Sequence, residues 1–524
     1  MHGAWLGIYP GSMTGSSDVE RDVDVFGDEY VQGAPEVWRR LRSECPVAHT
    51  PRHGGGWLPT TYADISSVAY DTDNFSSRDV GVASTPDGVS LLVAPPITSD
   101  PPFHTDARRM LLPYFSPKAV EEMREVTRSI AVELLDAIDP SNTVDAAEEY
   151  ARYLPVRVIG SMIGLPEADC EMFTRWSVDI LQSHPDEFDR RTQATKEILE
   201  YFGETIADRR RIPRDDLISK LQAESLPNGD PVTDKHVLGT CFLLLIAGID
   251  TTWSSIASNL LHLATHDDDR HRLVAEPQLI PTAVEEFLRA YSPVTMARVV
   301  AQDSEISGCP VTAGEKVFLP FGASNRDPEM FEDPDQVVID RQENRHFAFG
   351  IGIHRCLGSN LARMELVVAM EEWLKRFPNF SIAEGSDVEW GGTQGTWTSL
   401  GSDPDRLRPG QCACVGRRGM IVKNTNSPIA ADSAQPTDNG VTVETICRSI
   451  TAPSNAPKAK VTKPIVDAAV PASAPMGSSA NVFIFGMSTT NAEICADIST
   501  IHNPTGGTPL DTRVTTNIDT LNTN

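Results

Sequence analysis

The chain has 524 residues, a formal net charge of −28 at pH 7 and 40% hydrophobic residues. So acidic a balance argues against nucleic acid or an anionic membrane surface as a general partner. No run of about 18 apolar residues occurs, so no membrane span is expected, and nine cysteines without regular spacing give no disulfide framework and fit a reducing cytoplasm.

Length alone fits about two to four domains. The opening stretch Met1–Tyr9 has no basic region and is too short for a signal peptide, and Met13 serves equally well as a start. Residues 1–34 are expected to form a flexible segment, because 13–34 are acidic and polar. Pro35–Arg42 reads as a short amphipathic helix opened by proline. Trp57–Tyr62 reads as a strand behind the Gly54-Gly55-Gly56 turn, and Tyr62–Asp71 as the next helix. Val80–Thr98 is a Gly/Pro/Ser loop carrying Leu91, Leu92, Val93 and Ile97.

In Asp100-Pro101-Pro102-Phe103-His104-Thr105-Asp106-Ala107-Arg108-Arg109 the prolines start a helix. His104 and Arg108 then stand at i and i+4 on one face, a pair suited to an anionic ligand. Helical patterns follow over Pro117–Ile138, Ala146–Ile163, Asp169–Gln182 and Arg190–Arg211. The longest apolar helix is predicted over Asp234–His266, where Phe242–Ile246 lead into Ala247-Gly248-Ile249-Asp250-Thr251-Thr252. A carboxylate and two hydroxyls inside a buried helix are costly unless they have a task. Gly248 removes side-chain bulk, and Thr251 can bond back to the carbonyl one turn earlier and open the helix.

Glu286 and Arg289 fall at i and i+3 of a helix; Arg341 or Arg326 is left as the candidate to complete their network. Ala301–Pro320 reads as short strands around the Thr312–Glu315 turn. Phe349-Gly350-Ile351-Gly352-Ile353-His354-Arg355-Cys356-Leu357-Gly358 rings one cysteine with three glycines, directly ahead of a helix over Ser359–Phe377. Amides and helix dipole at such a junction favour a thiolate. A thiolate in so tight a loop, facing something flat, points to an axial ligand of haem iron. A structural cysteine is the bland alternative.

The cysteine loop, F-G-x-G-x-H-x-C-x-G, resembles the haem-binding signature of the cytochrome P450 family at every position. D-P-P-x-H-x-x-x-R around His104 and Arg108 resembles the propionate-binding helix of bacterial members, although Asp106 stands where a basic residue is common. A-G-x-D-T over Ala247–Thr251 resembles the oxygen-binding turn, and E-x-x-R the buried structural pair that supports the haem loop. The resemblance implies a mainly α fold with small β-sheets over residues 35–400, with Cys356 ligating the iron of haem b (iron protoporphyrin IX). Phe349, Gly350, Leu357 and Gly358 would frame that cofactor, and His104, Arg108, Arg298 and His354 would anchor its propionates. Asp250 and Thr251 would deliver protons for O2 activation, and Leu243, Ile246, Ala247, Val294 and Met296 would line an apolar substrate pocket. The loop over 80–98 would lie over the haem, and the later part of the helical region 117–222 would act as a mobile lid over the substrate entrance.

The implied activity is a cytoplasmic, bacterial-type haem-thiolate monooxygenase that hydroxylates a small, largely apolar molecule. No flavin, nicotinamide or iron–sulfur pattern is present, so electrons would come ultimately from NAD(P)H through a ferredoxin reductase and a ferredoxin. Arg109, Lys118, Arg355 and Arg363 would gather on the docking face. A peroxide-driven haem-thiolate enzyme and a non-catalytic haem-binding protein are the alternatives; the Asp250-Thr251 pair favours O2 activation over the first.

After Leu400 the family pattern breaks. Residues 401–524 shift to Thr, Asn, Ala, Ser, Pro and Gly, with ten acidic and ten basic residues and neither Trp nor Tyr. That composition predicts a disordered tail or a frame-shifted or fused segment, with one candidate strand at 482–485. Cys412, Cys414, Cys447 and Cys495 are too irregular for an iron–sulfur module.

Overall fold

A computed structural model describes residues 22–383 except 84–92, 140–142 and 228, together with residues 388 and 390 and the backbone of 391, 399–400 and 421–424. The chain divides into two units after Ser433, and all described residues lie in the first. Thirteen helices run through them: α1 Asp28–Glu44, α2 Tyr62–Tyr70, α3 Phe103–Leu111, α4 Pro117–Asp136, α5 Tyr153–Ile163, α6 Cys170–Leu181 and α7 Phe188–Arg211. After these come α8 Leu217–Ala223, α9 Asp234–Thr265, α10 Asp267–Ala275, α11 Ile280–Ala290, α12 Phe321–Ser324 and α13 Ser359–Arg376. The strands are β1 Val47–Thr50, β2 Gly56–Pro59, β3 Phe75–Ser76, β4 Val144–Asp145, β5 Thr295–Val300, β6 Ser304–Ile306, β7 Cys309–Val311, β8 Lys316–Pro320, β9 Phe380–Ile382, β10 Trp390–Gly391, β11 Ser399–Leu400 and β12 Ile421–Asn424.

The core forms around α9. Thr233 caps it, its side chain accepting from the His236 amide, and the 32-residue helix then runs through the protein with α4 to α8, α11 and α13 contributing to the same apolar cluster. By length and composition α9 could cross a membrane, but 67% of its apolar window is buried inside the fold. It is a core helix. A five-stranded sheet, ordered β1-β2-β8-β5-β3, stands beside the helices and carries α1 on one apolar cluster and α2 on another. The β5–β8 pairing sets Arg298 opposite Val317 and Met296 opposite Leu319.

Two expected boundaries move. The first helix begins at Asp28, and Val23, Phe26 and Tyr30 are buried with Trp38 in one cluster, so residues 22–34 are not a flexible segment. Their apolar spacing is hidden among acids that have partners: Asp22 accepts from Arg52 Nε at 2.6 Å, and Asp24 lies 3.0 Å from His53 Nε2. Pro35 still opens a helical piece, because Gly33 breaks the helix geometry two residues earlier (φ −128°, ψ 22°). At the other end, β10 and β11 pair antiparallel, and strand pairing does not stop at 400. The β12 strand lies between β4 and β9, pairing Val422 with both Val144 and Ile382. A ladder between distant strands fixes those four residues, and local composition does not reveal it. The expected strand at 482–485 and the four tail cysteines lie outside the described residues.

Candidate haem site

The cysteine loop is shaped by two glycines with left-handed backbone, Gly350 (φ 64°) and Gly352 (φ 73°). A Cβ on Gly352 would sit 2.6 Å from the Ala69 carbonyl, so only glycine lets the loop close on α2. Gly358 differs: its φ is −79° and it caps α13. The Cys356 amide donates to the Phe349 carbonyl at 2.7 Å, which folds the loop back on itself. Burial pushes the Cys356 thiol above its ordinary value, opposed by the Gly358 amide and the charges of Arg108, Arg355 and Arg363. The residue nonetheless keeps accessible surface. A coordinated metal ion would reverse that upward shift.

Four donor side chains meet beside this loop. The His104 and His354 rings lie 4.3 Å apart, and neither nitrogen of His104 nor Nε2 of His354 has a side-chain partner, although all three are buried. Arg108 Nη2 donates to the Arg355 carbonyl at 2.6 Å, and Arg298, only 4% exposed, donates to the Ala297 carbonyl at 2.8 Å. Burial and the charges of Arg298, His104 and Arg108 push His354 down to about 2. Burial likewise pushes Arg298 down to about 10. Among the described residues none of the four forms an ion pair with a carboxylate. Buried donors without an acceptor are costly, and a ligand bearing carboxylates would satisfy them. The donor set therefore fits a ligand that carries two carboxylates, as the propionates of haem do.

Across α9 one strip departs from the buried character of the helix. Leu243, Ala247 and Thr251, spaced i, i+4 and i+8, are half-buried, exposed and half-buried in turn. Thr251 Oγ1 donates to the Ala247 carbonyl at 3.0 Å, as its position in the motif predicts. The bulk that Gly248 spares lies toward α5: a Cβ there would meet Ile159 Cγ1 at 2.9 Å, so the glycine lets α5 pack closely. Asp250 is fully buried and accepts from Gln182 Nε2 at 2.6 Å, across from the end of α6. Gln182 carries no local sequence signal, because the contact spans 68 residues. Ile246 is buried in the helical core, whereas Val294 and Met296 are half-buried and share alternation with Arg298. The loop of 80–98 is described only in part. Its Val93 carbonyl would lie 2.3 Å from a Cβ at Gly239, and Thr240 Oγ1 donates to Pro95 O at 3.3 Å, so this loop rests on the first turns of α9.

Behind the cysteine loop, Glu286 and Arg289 are wholly inaccessible and pair at 2.7 Å. Arg341 completes the network, its Nε 3.1 Å from Glu286, while Arg326 pairs with Asp335. Of the cations expected on the docking face, Arg109, Lys118 and Arg355 are exposed. Arg363 is otherwise engaged: it forms a two-pronged pair with Glu285, at 2.6 and 2.9 Å.

With this geometry in view, the comparisons agree. The family model Cytochrome P450 matches residues 170–390. The polyketide biosynthesis cytochrome P450 PksS of Bacillus subtilis is 34% identical over 381 residues, covering 70% of this chain and 93% of its own. Vitamin D(3) 25-hydroxylase of Pseudonocardia autotrophica is 35% identical over 371 residues, covering 70% and 91%. The crystal structure of CYP109E1 from Bacillus megaterium in complex with testosterone aligns with a TM-score of 0.66 at 30% identity, covering 76% of this chain and 100% of that one. This chain belongs to the cytochrome P450 family. It is a haem-thiolate monooxygenase of bacterial type, with haem iron as cofactor and O2 as co-substrate.

Proposed function

We propose that the protein hydroxylates a largely apolar small molecule of polyketide or steroid-like bulk, with electrons passed from NAD(P)H through a ferredoxin reductase and a ferredoxin. The observation that carries this reading is the accessible strip Leu243–Ala247–Thr251 in the middle of a helix most of whose residues are buried. An apolar surface with one hydroxyl at its end orients an apolar substrate against a single polar point. Substrates of that bulk are named for the relatives: a polyketide pathway for PksS, vitamin D3 for the 25-hydroxylase, testosterone in the CYP109E1 complex.

When bound, haem ligated by a thiolate activates O2 for insertion into a carbon–hydrogen bond. Cys356 would hold the iron, and the Gly358 amide would temper the charge on sulfur. Arg108 and Arg298 would neutralise the propionates and His104 and His354 would donate hydrogen bonds to them, each gaining a carboxylate partner it lacks among the described residues. Thr251 would hold a proton at Oγ1, positioned by its bond to Ala247 O, and Asp250 would resupply it, its carboxylate held by Gln182. Leu243, Ala247, Val294 and Met296 would press the substrate into place and exclude water, while Ile246 backs them from the core. Phe349, Gly350 and Leu357 would form the floor under the iron. The exposed Arg109, Lys118 and Arg355 would be the cations that meet an acidic ferredoxin, which the strongly negative remainder of the chain would repel.

The test is the spectrum of the dithionite-reduced protein with carbon monoxide, followed by turnover with a surrogate ferredoxin system. A red-shifted Soret band lost in Cys356→Ala is expected. Thr251→Ala should keep that band but spend NAD(P)H and O2 without product. Unchanged coupling in Thr251→Ala would overturn the proton-delivery role, and absence of the band would overturn the whole reading.

A further inference from the structure

Glu285 has no part in the pair made by its neighbour Glu286. One position along α11 turns it about 100° away, toward α13 and the segment before the cysteine loop. There its carboxylate takes both prongs of Arg363, Nε at 2.6 Å and Nη2 at 2.9 Å. His346 adds a third bond, Nε2 lying 3.1 Å from Glu285 Oε2. The His346 Nδ1 accepts from the Ala348 amide at 3.2 Å, so the ring nitrogen facing Glu285 is the donor. Burial alone would raise the Glu285 carboxyl, but the bonds from His346 and Arg363 hold it down at about 2. It is ionised at any working pH.

What Arg363 does with its other face matters more. Its guanidinium carbon stands over the Phe349 ring, 4.4 Å from the centroid. Phe349 is the first residue of the cysteine loop, and its carbonyl receives the Cys356 amide. Arg363 is also among the charges that favour the thiolate form of Cys356. A chain of contacts thus runs from Glu285 through Arg363 and Phe349 to the sulfur. It ends in a plane rather than a point charge, since a fork held at two nitrogens cannot rotate off the ring.

We propose that Glu285 is a positioning residue that clamps Arg363 over Phe349 and sets how much positive field the cysteine sulfur feels, thereby tuning the reduction potential of the iron it ligates. This rests on the reading that Cys356 is the haem ligand. A carboxylate behind the guanidinium partly cancels its charge at the sulfur. Removing the carboxylate strengthens the positive field and favours the added electron; removing the guanidinium leaves the half-buried negative charge of Glu285 uncompensated and disfavours it. The two losses act in opposite directions.

The experiment is spectroelectrochemical titration of the haem-loaded protein, full chain, without substrate. Glu285→Gln is expected to raise the ferric/ferrous potential and Arg363→Gln to lower it, with the double variant returning toward wild type. Glu285→Asp keeps the charge and should restore the potential. If Arg363→Gln does not fold, the rise in Glu285→Gln and its rescue in Glu285→Asp decide the matter together. Shifts of the same sign, no shift, or an aspartate variant displaced as far as the glutamine one would mean packing alone and overturn the proposal. The carbon-monoxide band of the wild type separates the two levels. Its absence sinks the ligand assignment and this proposal with it, whereas a normal band with unmoved potentials sinks only the tuning role.

Discussion

Replacing Glu286 by glutamine should cost about 3–5 kcal/mol of stability, the penalty for breaking a buried ion pair on one side. The carboxylate accepts from Arg289 Nε (2.8 Å) and Nη2 (2.7 Å), from the Val338 amide (2.8 Å), from Arg341 Nε (3.1 Å) and from Asn344 Nδ2 (3.2 Å). Arg289 in turn donates to the carbonyls of Asn325, Pro334 and Gln336. The pair therefore ties α11 to the irregular chain that leads into the cysteine loop. Glutamine keeps the shape but turns an NH2 group toward donors and leaves the Arg289 charge without a counterion at zero exposure. Set against a typical net stability of about 5–15 kcal/mol, the loss is large. Urea unfolding of the haem-loaded protein, followed by far-ultraviolet circular dichroism and by the Soret band, measures it. In the double variant Glu286→Gln/Arg289→Met the stranded charge is gone, so much of the loss should return. A single variant within about 1 kcal/mol of wild type would refute the reasoning.

Glu365, on α13, is buried with Oε2 unpartnered, and burial lifts its carboxyl well above the ordinary range. Between the unfolded value of about 4.3 and that raised value the native state keeps a proton the unfolded chain has lost. Stability then falls with rising pH by up to about 1.4 kcal/mol per unit, and Glu365→Gln should remove that component; equal slopes in urea midpoints from pH 4.5 to 8 would contradict this. Gly248→Ala should cost about 1–3 kcal/mol by pressing on Ile159. In an Ile159→Ala background the same change should become neutral or stabilising, since alanine is the better helix former, and thermal melts of the four proteins test it. Gln182→Ala removes a donor to the Asp250 carboxylate and should reduce coupled product formation about tenfold, the worth of one hydrogen bond to a charged group, with the carbon-monoxide spectrum unchanged. Full coupling in that variant would remove Gln182 from the proton path.

The site was legible where its chemistry is local. Cys356 with its glycines, Ala247–Thr251 and the Glu286–Arg289 pair each fit within one loop or one stretch of helix, so spacing alone carries them. Where two partners come from different elements, spacing says nothing. Arg341 and Arg326 stood as equal candidates until the fold brought one of them to Glu286. Arg363 read as a free surface cation because its partner Glu285 lies 78 residues away, hidden beside a more familiar glutamate. Gln182 was invisible for the same reason. Burial misled in one place: the acids among residues 22–34 suggested solvent, but Val23, Phe26 and Tyr30 among them pack inward.

The strand at Ile421–Asn424 bears on how the chain is made. It sits in the middle of its sheet, while its neighbours come from residues 144–145 and 380–382. A ribosome delivers the haem loop and α13 before it delivers the strand that joins β4 to β9. Until residue 424 emerges, both neighbours present open edges, and such edges pair with whatever strand arrives first. Closure over so long a separation is also slow. The nascent protein thus passes through an interval in which the cysteine loop and the donor side chains beside it are all synthesised but one of its sheets is unfinished, and in that interval it is open to misassembly.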